Sequence, residues 1–368
     1  MTVAAQTAGA NTDIASRRIL RLALGTALSM GFSQLVNWPL SFIAAVFTMF
    51  ILAVPLPAPT LKSGLKLVLA LVIPAYAGML LIPLLMHARW AGILLVVLAL
   101  FASFYYSARG GSPVMGMFMT LGITMVVTVG SVSADIMLLV INGIAIGAAV
   151  GIAFVALAHA LLPDLPPPAN AGPVKKPSPP PKPAMATARR NALRSLTVVL
   201  PLVMIFLFIS SSVAYVVVMI KVASMGQQAN AEASRSMARE QLESTLWGGI
   251  GAVIAFQIMS IWSSLLLFCL LIGLAGLIYG RRVFQGTGMH PRGGMWSYAF
   301  LTMIIVLTPA VINTQETGDA NAAFYTRLML FIIIAIYGTV SVAVFDAFWP
   351  NKPAAIIPAT PINEETNA

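Results

Sequence analysis

The sequence predicts an all-α integral membrane protein of about twelve transmembrane helices, arranged as two parallel six-helix repeats. Three observations carry this. Of 368 residues, 59% are hydrophobic and 9% charged, whereas an ordinary soluble domain carries about a quarter charged residues. Apolar runs recur at lengths that suit a bilayer, with the bases gathered between them. The stretches on either side of a proline-rich segment look like copies of one another. The composition excludes a soluble α/β enzyme, a disulfide scaffold, a disordered hub and a coiled coil. A net charge of +10 would point to nucleic acid in a soluble protein, but in a membrane protein it follows from the positive-inside bias, so no nucleic-acid partner is expected.

In chain order, residues 1–16 read as a cytoplasmic tail. Ser16-Arg17-Arg18-Ile19-Leu20-Arg21 has the look of a twin-arginine export signal, yet many further spans follow, so it reads as the uncleaved flank of the first helix. Residues 17–162 form the first repeat, with apolar segments near 19–36, 38–54, 64–86, 90–107, 113–130 and 136–162. Residues 163–190 are a proline-crowded, extended cytoplasmic linker. The second repeat, 191–350, has segments near 195–210, 211–226, 244–260, 262–280, 295–312 and 326–348, and 351–368 is a C-terminal tail. The first two of these second-repeat segments are short for a full span and could merge into one. With both termini in the cytoplasm, all of the 21 Lys and Arg residues except Arg89 and Arg327 fall inside, Lys221 among them. Merging 195–226 would turn Arg281, Arg282 and Arg292 outward, so the charge bias favours two spans there. Trp38, Trp90, Trp247, Trp262, Trp296 and Trp349 lie near segment ends, where amphipathic rings anchor at headgroup level.

The internal repeat is an ordered set of matches. The spacing that takes Arg21 to Arg194 also takes Lys62-Ser63 to Arg235-Ser236, Lys66 to Arg239, Gly78 to Gly251 and Met86 to Met259. Further on, Gly110-Gly111 corresponds to Gly293-Gly294, and His159-Ala-Leu-Leu-Pro163 to Asp346-Ala-Phe-Trp-Pro350. Six spans per copy is an even number, so the copies share one orientation, and sites in such proteins tend to lie between the repeats.

Arg21-Leu-Ala-Leu-Gly25, Trp38-Pro39 opening a second span, the prolines 55, 57 and 59, and Ser63-Gly64-Leu65-Lys66 heading a third helix resemble the first three helices of the fusaric acid resistance (FUSC) and aromatic acid exporter family. The resemblance implies an inner-membrane component exporting aromatic or other organic acids. It also implies work beside a periplasmic membrane-fusion protein and an outer-membrane channel. The chain departs from the family in two ways. It has a proline linker where many members carry a sizeable cytoplasmic domain, and Lys66 stands where arginine commonly opens the third helix.

An organic anion needs fixed positive charge on its path, and cations embedded in lipid are costly. Arg21 lies within the first apolar run, with Ser29 and Ser33 following it on the same helix face. Snorkelling and close helix packing explain the same residues without substrate. Arg194 is the repeat mate of Arg21, but apolar residues follow it. Lys66 and Arg239 head equivalent helices and would make a cytoplasmic vestibule attractive to carboxylates, although positive-inside topology accounts for both, and Glu243 can pair with Arg239. Gly143, Gly147 and Gly151 give a small-residue face expected to pack centrally between the repeats, with Asn142 as a pore-facing polar candidate. Proton coupling needs an intramembrane titratable group, and the candidates are Asp135, His159 and Asp346, all near span ends. Met115, Met117 and Met119 diverge around a helix, so they make no copper site. No P-loop and no metal-ligand spacing appears, so no metal or cofactor is expected, and the chain is not expected to be an enzyme.

The expected function is therefore efflux of small aromatic or other organic acids across a bacterial inner membrane. The alternative is a non-transporting membrane subunit that anchors or assembles an efflux complex.

Overall fold

A computed structural model describes residues 3–38, 40–129, 134–164, 183–208, 216–231, 234–312 and 320–350. Among them are twelve α-helices and one small hairpin. The first six helices are α1 Val3–Val36, α2 Ile43–Leu52, α3 Leu61–His87, α4 Arg89–Ala108, α5 Pro113–Val129 and α6 Ala134–Leu161. The rest are α7 Met185–Phe208, α8 Val216–Ala231, α9 Ser234–Ile261, α10 Leu265–Val283, α11 Gly293–Ile312 and α12 Ala320–Phe348. The protein is thus an all-α chain, and 8 of its helices are long and apolar enough to cross a membrane: α1, α3, α4, α6, α7, α9, α10 and α12.

Local signals explain the boundaries. Thr60 caps α3 by accepting from the Ser63 amide, and Ser264 caps α10 by accepting from Leu267, each supplying one of the acceptors a helix start lacks. Pro74 and Pro83 lie inside α3, Pro201 inside α7 and Pro309 inside α11, which membrane helices tolerate where neighbours cover the freed carbonyls. The N-terminal helix begins at Val3, well before the expected start of the span. The alanines of Val-Ala-Ala-Gln-Thr-Ala favour extending a helix once the apolar turns have nucleated it. Likewise α7 starts at Met185, inside the stretch expected to be linker, while 165–182 lie outside the described residues. The segments near 195–210 and 211–226 correspond to two separate helices, α7 and α8. They run antiparallel, since Arg194 reaches the Ala229 carbonyl while Gly226 meets Val199.

Between α10 and α11 the chain makes a hairpin, β1 Phe284–Gln285 and β2 Gly288–Met289. Its turn has Gly286 at φ +56°, a conformation that favours glycine. Arg18 donates to the Thr287 carbonyl at 2.6 Å, tying the first helix to this turn.

The remaining four helices sit inside. In α2 every residue but Phe50 is buried; residues 218–229 of α8 and 299–309 of α11 are buried, as are Gly116, Met117, Phe118 and 120–124 of α5. α2 has 10 residues, about 15 Å of helix, half of a roughly 30 Å hydrocarbon core. The long helices instead leave one side open, with Leu69, Ile73 and Leu80 of α3 and Ile332, Ile333 and Ile336 of α12 exposed as a lipid-facing surface requires. The principal packing joins α1 to α2 and α10, α2 to α6, α7 to α8 and α4, α3 to α5, and α9 to α11 and α12.

Candidate functional site

Two polar clamps stand at helix ends. At the head of α7, the Arg190 and Arg194 guanidiniums grip the Asp346 carboxylate near the end of α12, at 2.5 and 3.1 Å. Arg190 Nε donates to the Trp349 carbonyl at 3.0 Å and Arg194 Nε to Ala229 at 2.8 Å. In the middle of α1, Arg17 donates to the Pro163 carbonyl at 2.9 Å just past the end of α6, and Arg21 pairs with Asp164. Both Arg21 and Arg194 are 4% exposed, and each finds its charge partner at a helix terminus. The acid facing Arg21 comes after Pro163, whereas His159, aligned with Asp346 by sequence, turns its Nδ1 to the Val155 carbonyl at 2.9 Å. Asp346 and His159 therefore both lie at the ends of helices, in clamp or helix contacts. The Asp135 side chain lies outside the described residues.

The serine stripe on α1 faces α2. Thr48 donates to Ser29 at 3.0 Å and lies against the carbonyls of Ala44 and Gly151, at 2.8 and 3.2 Å. Ser33 is fully buried, and its Oγ has no hydrogen-bond partner among the described residues. The glycines of α6 serve the same contact. A Cβ on Gly151 would stand 2.8 Å from the Ala44 carbonyl oxygen, and one on Gly147 3.1 Å from Ile43. This corrects the expectation that the face packs between the halves. It packs on α2 of its own half, because α2 is short and buried and needs a close backbone to cover it.

Asn142 is exposed on the outer side of α6, where it accepts from the Tyr76 hydroxyl at 3.1 Å, and α9 and α12 carry a similar pair, Gln257 and Tyr325, at 3.2 Å. Pairing satisfies polar groups that face lipid; neither pair points inward. Lys66 is exposed at the head of α3. Arg239, 73% exposed, pairs with Glu243 at 2.5 Å, and Glu243 also meets Arg292.

The interior charge is elsewhere. Lys221, expected among the cytoplasmic bases, is 1% exposed in the sixth position of buried α8. Its ammonium donates to the Thr302 hydroxyl of α11 at 3.2 Å, and among the described residues it forms no ion pair. Two turns back from the Arg194 clamp, it lies about 12 Å from the level of Ala229 along α8. Thr302 is at a similar depth from the head of α11. Around α8 the buried polar groups continue: Ser224 donates to the Lys221 carbonyl at 2.7 Å, and Gln227 donates to Thr120, which contacts Ser103 at 2.8 Å. Gln228 Oε1 and both amide atoms of Gln241 are buried without partners among the described residues. Leaving such groups unpaired costs about 1–3 kcal/mol each. Sequence reasoning missed Lys221 because the base was assigned to a span end. The signal was its setting, Val-Val-Val-Met-Ile before it and Val-Ala after, which no headgroup-level lysine requires.

Fold and site together define a multi-pass α-helical membrane protein with a buried polar interior. Residues 18–158, from α1 through most of α6, match a family described as protein of unknown function (DUF2955). Neither a curated protein nor a solved structure matches the chain.

Proposed function

We propose that the protein is a bacterial inner-membrane transporter that exports small aromatic or other organic acids. Twelve helices form two parallel six-helix repeats, with both termini in the cytoplasm. The observation that carries this reading is the place of the four inner helices. They are the second and fifth of each half, α2, α5, α8 and α11, and they are buried among the eight helices long and apolar enough to cross a membrane. Short helices whose ends fall inside a bilayer are tolerated where protein covers them or where they border a cavity, and paired short segments in two halves point to a transport site.

The packing supports the repeat. α1 leans on α10 while α7 leans on α4, and α2 meets α11 while α8 meets α5, the exchange expected of two similar units about an axis along the membrane normal. The matched stretch 18–158 is itself one six-helix unit. The resemblance to the fusaric acid resistance family supports the acid substrate, and with it a periplasmic fusion protein and an outer-membrane channel as partners.

The test is accumulation of radiolabelled aromatic acids, benzoate and salicylate among them, by cells with and without the protein. Lower accumulation in its presence is expected. Equal accumulation of every acid, with the protein confirmed in the membrane and a fusion protein and outer channel co-expressed, would leave the non-transporting assembly role.

A further inference from the structure

We propose that Lys221 is the substrate-binding charge of this protein and that the site takes one monocarboxylate at a time. The inference rests on the transport reading above. Four observations converge on it. The Lys221 ammonium is sealed in the bundle and, among the described residues, has the Thr302 hydroxyl as its one hydrogen-bond partner, in a place where an isolated ammonium is costly and a carboxylate would relieve the cost. It bridges two of the four inner helices, α8 and α11, near half the depth of the bundle. Ser224 and Gln228 follow it at spacings of three and seven residues, on the same side of α8, and toward the clamp end Gln228 Oε1 and the Gln241 amide have no partner among the described residues. These groups set buried polar atoms between the Arg194 clamp and the ammonium.

The fourth observation sets the stoichiometry. The spacing that relates Arg21 to Arg194 relates Thr48 to Lys221, and Thr48 is neutral and already satisfied by Ser29 and two carbonyls. Of these two related positions, therefore, one holds a cation and the other a neutral hydroxyl. One carboxylate neutralises the cation. A dicarboxylate would bring a second charge into the same core with nothing to meet it, so benzoate is taken and terephthalate refused.

Cys269 is the single cysteine, and Cys269→Ser allows a thiol to be placed beside the ammonium by Thr302→Cys. In this background the rates of modification by an anionic and a cationic methanethiosulfonate are measured, each normalised to a free thiol. The ratio of anionic to cationic rate should fall at least about tenfold when Lys221→Met is added. Methionine keeps the unbranched shape and removes the charge, so monodispersity in detergent checks the fold. An unchanged ratio, or a thiol at 302 that neither reagent reaches in the folded protein, overturns the proposal. In proteoliposomes, [14C]benzoate uptake should drop at least about tenfold in Lys221→Met, recover in part in Lys221→Arg, and exceed terephthalate uptake in the wild type. Benzoate carried equally well by Lys221→Met sinks the site and leaves transport standing. A ratio that responds to Lys221 without benzoate uptake by the wild type keeps the anion site and removes aromatic-acid transport.

Discussion

Asp346→Asn tests whether the clamp at the head of α7 holds the second half together. The carboxylate lies 2.5 Å from Arg190 and 3.1 Å from Arg194, and is 18% exposed. Removing one partner of a fully buried ion pair costs about 3–5 kcal/mol, because the remaining charge stays behind unmatched. Two features lower that figure. Asp346 is not wholly buried, and both arginines keep a carbonyl, Trp349 for Arg190 and Ala229 for Arg194. A loss of about 2–3 kcal/mol is expected. The matching change in the first half is Asp164→Asn. Asp164 is 51% exposed, so solvent already screens its pair with Arg21 and the loss should stay below about 1 kcal/mol. Unfolding in detergent can be followed through the half-buried Cys269 with a thiol-reactive fluorogenic maleimide, giving midpoints for both variants against wild type. Equal shifts for the two, or no shift for Asp346→Asn, would show that burial of the clamp does not set its strength, and the reasoning would be wrong.

Three further outcomes follow from the packing and the charges. Gly151→Ala places a Cβ 2.8 Å from the Ala44 carbonyl, so α2 and α6 must separate; the same unfolding assay should show a loss of about 1–3 kcal/mol. Thr48→Val keeps the shape but leaves Ser29 without its donor, and a loss of about 1 kcal/mol is expected, with no change signifying that Ser29 finds another partner. Lys66→Glu combined with Arg239→Glu reverses two exposed charges at the heads of α3 and α9; it should raise the KM for benzoate with little change in kcat, and the effect should fade in high salt if the residues act as a vestibule.

Much of the architecture was legible because composition and periodicity are local properties. Apolar runs separated by bases predicted spans, and the structure has helices where each run was read, including separate α7 and α8. Arg21 and Arg194, aligned by the sequence spacing, are both buried, and each pairs with an acid near the end of another helix. The roles of these residues were not legible. An arginine inside an apolar run reads alike whether it lines a path or clamps a terminus, and only the positions of Asp164 and Asp346 distinguish the two. Asn142 shows the converse: its neighbours at glycine spacing drew it inward, while the helix turns it outward to Tyr76.

What the sequence determined by itself is the class of protein, since a chain so apolar and so poor in charge has no soluble fold that would bury it. It also determined the helical elements, because each follows from residues close together along the chain. The tertiary structure decided which helices lie inside and which charge they enclose. α2, α5, α8 and α11 are apolar like the rest, and it is their packing against the helices around them, α1 and α6 on α2, α3 on α5, α7 on α8 and α9 on α11, that seals them from lipid. Lys221 passes from an ordinary base to a buried one by the same cause: its burial depends on α11 and Thr302, more than eighty positions further along the chain, and no local pattern contains that contact.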